Sequence, residues 1–273
     1  GNVTFNGTGG TFTLQDALTS SGSITMTAGT FNANNLSFTA VDVTATAGTL
    51  TMGSGTWTVS GNWNSNGATI TSNGGTSTLV MSGASKTFGT QGNQNANRVN
   101  ILQVSGTISV ASTLFGNAST VRVISGGTLT ATGTVIVGNV DLQTGGTLDG
   151  AGELRLRALL NPTITFDGTL TVATLSFYNG QINIPARTYS QTTVNFISDA
   201  TPRTVTWLAG TYTFQGNVTF TSNAGHSYKI TGATNNPNLT FNGNINLVAT
   251  GTLTWTKGTG TITLGNNPSD GTQ

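Results

Sequence analysis

The chain carries eight carboxylates, Asp16, Asp42, Asp141, Asp149, Glu153, Asp167, Asp199 and Asp270, and one histidine, His226. Glycosidic hydrolysis needs two carboxylates about 5–10 Å apart, one of them a proton donor. Asp149 and Asp167 lie 18 residues apart, so a repeat of about that length would set them on neighbouring layers, with Glu153, Arg155 and Arg157 close by. Asp149, Glu153 and Asp167 are therefore the catalytic candidates. The competing reading makes them turn residues and a surface ion-pair patch, because Asp149-Gly150 and Asp167-Gly168 are ordinary turn dipeptides. We prefer the second reading. A glycan-cleaving cleft would also need aromatic platforms along one groove.

The other site chemistries fare worse. His226 sits in Asn223-Ala224-Gly225-His226-Ser227-Tyr228 without a second His or a nearby acid, so a loop or surface histidine is expected. There is no Cys, which removes disulfides, thiolate zinc sites and a Cys nucleophile. Calcium wants several carboxylates, and the Asp-bearing Gly-rich nonapeptide is absent. No Gly-rich stretch has phosphate-loop spacing. Nine Lys plus Arg against eight acids give a net charge of +1, too little basic charge for a nucleic-acid footprint. No metal, no cofactor and no nucleic-acid partner are expected.

The elements that would position any site follow from a repeated phrase. Gly, Thr, a large apolar residue, Thr or Ser, and a second apolar residue recur as Gly10-Thr11-Phe12-Thr13-Leu14, Gly48-Thr49-Leu50-Thr51-Met52 and Gly55-Thr56-Trp57-Thr58-Val59. Further copies start at Gly106, Gly168, Gly210 and Gly260. Each is a period-2 alternation, with Thr on one face of a strand and apolar residues on the other. Gly, Asn and Ser between the phrases supply turns, since Gly and Asn tolerate positive φ. The phrases return every 19 to 22 residues. A coil of about twenty residues with several short strands is what a parallel β-solenoid requires. The expectation is an all-β parallel β-helix, one domain over 1–273, with about thirteen rungs of roughly 20 residues and a length of about 60 Å.

That fold accounts for the composition. About a fifth of the residues are Thr, 38 are Gly and only 6% are charged, against about 25% charged in an average domain. Phe12, Met26, Leu50, Trp57, Leu129, Leu170 and Leu253 are expected to point inward. Outward residues stack on their equivalents one rung away, where like charges would repel and Thr or Asn would hydrogen-bond. Residues 88–98 read as a surface loop, 152–160 as a strand in which Leu alternates with charge, and 179–202 as irregular.

The Gly-Thr-apolar-Thr phrases resemble those of large secreted prokaryotic repeat proteins, the adhesin-like and filament-like surface proteins built on parallel β-helices. So does the run Leu79-Val80-Met81-Ser82-Gly83-Ala84-Ser85-Lys86-Thr87-Phe88-Gly89, followed by Val99-Asn100-Ile101-Leu102-Gln103-Val104-Ser105-Gly106. The resemblance covers nearly the whole chain. It implies an extracellular structural or adhesive role, with no catalytic residue to carry over and surface glycans as conceivable partners. The opening Gly1-Asn2-Val3-Thr4-Phe5 returns at Gly216-Asn217-Val218-Thr219-Phe220, so the chain begins on a strand phrase. A segment of a longer protein, or a subunit stacked head to tail in a filament, is expected. No run approaches the eighteen or so apolar residues of a membrane span. Two alternatives stand: a glycan-binding or glycan-cleaving β-helix, and an ice-binding solenoid using Thr-x-Thr doublets such as Thr49/Thr51. The drifting period argues against the second.

Overall fold

The computed structural model describes residues 1–72, 76–90, 99–111, 113–114, 119–157, 162–178, 182–198, 203–222, 227–231, 234–249, 251–256 and 258–265. Among them every element is a β-strand, and every strand pairing is parallel. The strands stack as a β-solenoid of about ten turns, roughly 21 residues apart. This is fewer than the thirteen expected. Turn length varies with the corners: Ser23 and Asp42 meet across 19 residues, but Thr87 and Asn62 across 25 and Asn244 and Asn217 across 27.

Most described turns carry three short strand segments. In an early turn Ile24–Asn32 bends at Gly29 and is followed by Phe38–Ala40; in a late one the segments are Asn217–Ser222, Ser227–Thr231 and Asn238–Phe241. One sheet of 16 strands runs through most of the stack, flanked by sheets of eight, four and four strands. Gly29 and Gly48 have φ of 82° and 84° at equivalent corners, and a Cβ on Gly48 would lie 2.3 Å from the Gly29 carbonyl oxygen. Glycine is required there for both backbone angle and space.

The alternation holds along the strands. Met26, Leu50, Trp57, Leu129 and Leu170 are buried as expected. Phe12 is 38% exposed and Leu253 only half-buried, because each lies on a terminal turn with apolar neighbours on one side alone. The core is graded. Aliphatic side chains such as Leu102, Val121, Leu129 and Leu142 fill the middle, and aromatics crowd both ends. In-register pairing forces two aromatic ladders: Phe177, Phe196 and Phe220, with centroids 5.1 and 5.0 Å apart, and Tyr189, Phe214 and Phe241, at 5.1 and 5.2 Å. Strand stacking repeats at about 4.8 Å, so ring planes close to parallel fit this period.

Corners leave backbone N–H groups outside the strand ladders, and buried or half-buried donors need acceptors. Asparagine and aspartate side chains supply them from one turn to the next. Asn2 Oδ1 accepts from Ser23 N–H at 2.9 Å, Asp42 Oδ1 from Asn62 N–H at 2.7 Å, and Asn62 Oδ1 from Thr87 N–H at 3.0 Å. Asn139 and Asn238 do the same for Thr163 and Thr261.

Two segments differ from expectation. Phe88, read as part of a loop, belongs to the strand Lys86–Thr90 and is buried, since it pairs with Trp63; residues 91–98 are outside the described set. Within 179–202, the strands Ile182–Ile184, Thr188–Tyr189 and Thr193–Ser198 keep the stack going without the Gly-Thr phrase, through inward Ile184, Tyr189, Val194 and Phe196. The stretch 152–157 is strand, within Thr147–Arg157.

Two buried phenols make the core sensitive to alkali. Tyr189 donates to the Pro185 carbonyl at 2.6 Å, and Tyr212 to the Ile184 and Leu208 carbonyls at 2.8 and 2.9 Å. Burial raises both above the ordinary tyrosine range, Tyr212 to about 12. The unfolded chain releases these protons near pH 10 while the folded chain keeps them, so their contribution is complete below pH 10 and lost as pH climbs toward 12. Denaturant titrations at stepped pH should show stability falling over this window, and Tyr212→Phe should flatten the fall.

Candidate functional site

Asp149 and Glu153 flank one corner, and Asp167 lies at another. Asp149 and Glu153 lie on Thr147–Arg157, on either side of Gly150 (φ 114°) and the register break that follows it. Both occupy outward positions, next to the inward Leu148 and Leu154. Asp167 is exposed in the corner between Ile164–Phe166 and Thr169–Tyr178, its N–H donating to the Leu142 carbonyl at 2.8 Å.

The register does not stack Asp149 on Asp167. Asp149 faces Thr130 on one side and Thr171 on the other. The turn at this level is 22 residues rather than 18, so Asp167 stays behind in the corner. Glu153 is held by its own strand: its two oxygens accept from Arg155 Nε and Nη2 at 3.0 and 2.8 Å, and Oε2 also from Thr134 Oγ1 at 3.3 Å. Asp149 Oδ1 is buried without a hydrogen-bond partner, interrupting a threonine column. The register therefore does not supply the stacked Asp149–Asp167 pair that the spacing suggested. His226, Asp199 and Asp270 lie outside the described residues, among which no group of three or more His, Asp or Glu is placed to hold a metal ion.

The structure brings together other charged residues that sequence reasoning did not pair. Arg122 Nε meets Asp141 Oδ2 at 2.7 Å across adjacent turns, with Gln143 donating to the same oxygen at 3.2 Å. Arg155 and Arg157 both lie over the Tyr178 ring, at 5.3 and 5.8 Å from its centroid. Arg187 lies near the rings of Phe166 and Tyr189, and donates to the Phe166 carbonyl at 2.8 Å. Burial lowers the pKa of Arg187, and Tyr189 and Asp167 oppose the shift. One signal was available: Arg122 and Asp141 are one repeat apart, as are Arg157 and Tyr178.

A groove of about 240 Å³ is lined by neutral outward groups that include Asn64, Asn66, Thr87, Ser109 and Thr132, with Ser109 two turns from Asp149 in the same outward column. Its Trp63 and Phe88 walls are buried rings, which present no exposed stacking platform. No protein-family model, curated protein or solved structure matches the chain.

The isolated carboxylate oxygen has a stability consequence. Asp149→Thr would join Thr130 to Thr171 in one outward column and remove a buried acceptor without a donor, whose cost is on the order of 1–3 kcal/mol. Chemical denaturation should show a gain of about 1 kcal/mol. A loss of that size would mean the carboxylate has a favourable role.

Proposed function

We propose that this chain is an extracellular structural β-solenoid, a section of a surface stalk or adhesin rod, or a subunit of a head-to-tail filament. The observation that carries this reading is the continuity of the stack. Backbone ladders, corner amides and inward columns run from turn to turn over most of the chain. Ten or so turns at about 4.8 Å give a body about 50 Å long, which grows only along its axis. The work in this reading is mechanical. The extracellular placing rests on the likeness of the Gly-Thr-apolar-Thr phrases to those of secreted repeat proteins. Immunogold microscopy of intact source cells tests it: label along stalks or filaments outside the envelope is expected, and label confined to the cell interior would overturn it.

A second reading has one specific observation behind it. Thr11/Thr13, Thr30/Asn32, Thr49/Thr51 and Thr69/Thr71 stack in register on four successive turns. They form a lattice of about 4.8 Å between turns and about 7 Å along the strand. Such a lattice is the sort of surface an ice-binding solenoid presents. Against it, Thr107, Thr128, Thr147 and Thr169 form a similar column elsewhere, so threonine is a general outward residue here. Thermal hysteresis should be absent; a measurable freezing-point gap that Thr49→Tyr removes would reverse the ranking.

A further inference from the structure

The stack changes its sides between Tyr178 and Ile182. The eight-stranded sheet ends at Ile164–Phe166, and the two four-stranded sheets begin at Ile182–Ile184 and Thr188–Tyr189. The first half of the strand Thr169–Tyr178 pairs with 147–150 beneath it and with no described strand above. Only the second half continues upward, 174–178 pairing with 193–197. We propose that this level is a seam, along which the solenoid parts into two separately cooperative blocks, residues 3–178 and residues 182 onward. The inference concerns the stack itself and does not depend on the rod reading above.

A solenoid holds together through the contacts of each turn with the next, so its weakest level is the one that the fewest ladders cross. A division between Leu142 and Thr147 crosses three: 128–130 with 147–149, 134–137 with 153–156, and 140–142 with 164–166. A division between Phe214 and Asn217 also crosses three: 193–198 with 217–222, 203–206 with 228–231, and 211–214 with 238–241. Between Met81 and Lys86 two ladders cross, 63–65 with 88–90 and 78–81 with 101–104. Between Tyr178 and Ile182, among the described strands, there is one.

Side chains stand in for the missing ladders. The Phe166 carbonyl, at the end of the eight-stranded sheet, accepts from Arg187 Nη1 at 2.8 Å, and the guanidinium lies 5.6 Å from the Phe166 ring centroid. The Leu170 carbonyl accepts from Gln191 Nε2 at 2.9 Å. Arg187 and Gln191 lie outside the strands, just before Thr188–Tyr189 and Thr193–Ser198. Each reaches back 21 residues, one turn, as a ladder partner would. Gln191 is 2% exposed, and its Oε1 is buried without a partner. A tie that leaves a buried acceptor unmade holds less firmly than the ladder it replaces.

The seam is nonetheless closed. Phe166, Leu170 and Val172 are buried on one side of it, and Ile184 and Tyr189 on the other. Packing closes these two sides, and backbone pairing does not. The third side is continuous: Phe177 stacks on Phe196 at 5.1 Å, and Asn195 Nδ2 donates to Ser176 Oγ at 3.1 Å. Cooperative units in a protein follow such breaks in contact, so denaturant separates the blocks before it dissolves both.

Hydrogen exchange of the unsubstituted chain, read peptide by peptide over a urea series, tests this. Peptides within 24–156 should lose protection at one urea midpoint and peptides within 203–241 at another, with the change falling between Tyr178 and Ile182. One midpoint throughout overturns the seam, and so does a change located elsewhere, such as between Met81 and Lys86. The chain has no Cys, so a single introduced thiol checks the result by a second route. Ser119 and Ser222 are each 1% exposed and lie in different blocks. Ser119→Cys and Ser222→Cys, pulsed with iodoacetamide in separate variants, should become reactive at the two different midpoints; a shared midpoint overturns the proposal. Arg187→Met should move the earlier midpoint to lower urea, because the tie is lost when the first of the blocks opens. An unmoved midpoint removes Arg187 from the seam.

Discussion

Parallel in-register stacking is the constraint on which everything else in this molecule depends. Most described strand residues have an equivalent one turn away at about 4.8 Å, so each such position must suit a neighbour of its own kind. Inward positions meet this with columns of like apolar side chains, ending in the aromatic ladders Phe177–Phe196–Phe220 and Tyr189–Phe214–Phe241. Corner positions meet it with side-chain amides, each accepting the backbone N–H of the next turn, as Asn62 does for Thr87.

Charge obeys the same rule in a form that composition alone does not show. Like charges in register would repel, and the chain is poor in charge. Several of the charges that do occur are answered: Arg122 lies on Asp141, Arg155 holds Glu153, and Arg155 and Arg157 lie on Tyr178. The outward surface is not chemically blank. Asp149 is the described acid left with a buried, unpartnered oxygen.

Much of the architecture was legible in the phrases Gly10-Thr11-Phe12-Thr13-Leu14 and Gly260-Thr261-Ile262-Thr263-Leu264, because a period-2 alternation closed by glycine has few other uses. The alternating stretch around Leu154 and Leu156 was legible for the same reason. The strand at Phe88 was not, since the Asn- and Gln-rich run after it dominates the local composition. The number of turns was overestimated because phrase-to-phrase spacing measures the tight corners and misses the wide ones. For the candidate site, the partnership of Asp149 with Asp167 depended on one assumed period.

The sequence by itself determined the class of fold and the inward and outward faces, because alternation and glycine spacing are local properties of the chain. Only the tertiary structure decided which residues are neighbours. Neighbours here are separated by a whole turn, and the turn varies with each corner; a change of four residues replaces Asp167 by Thr171 beside Asp149. The corners likewise show that the first and last described turns are built alike, since Asn2 and Asn217, far apart in the chain, make the same contact.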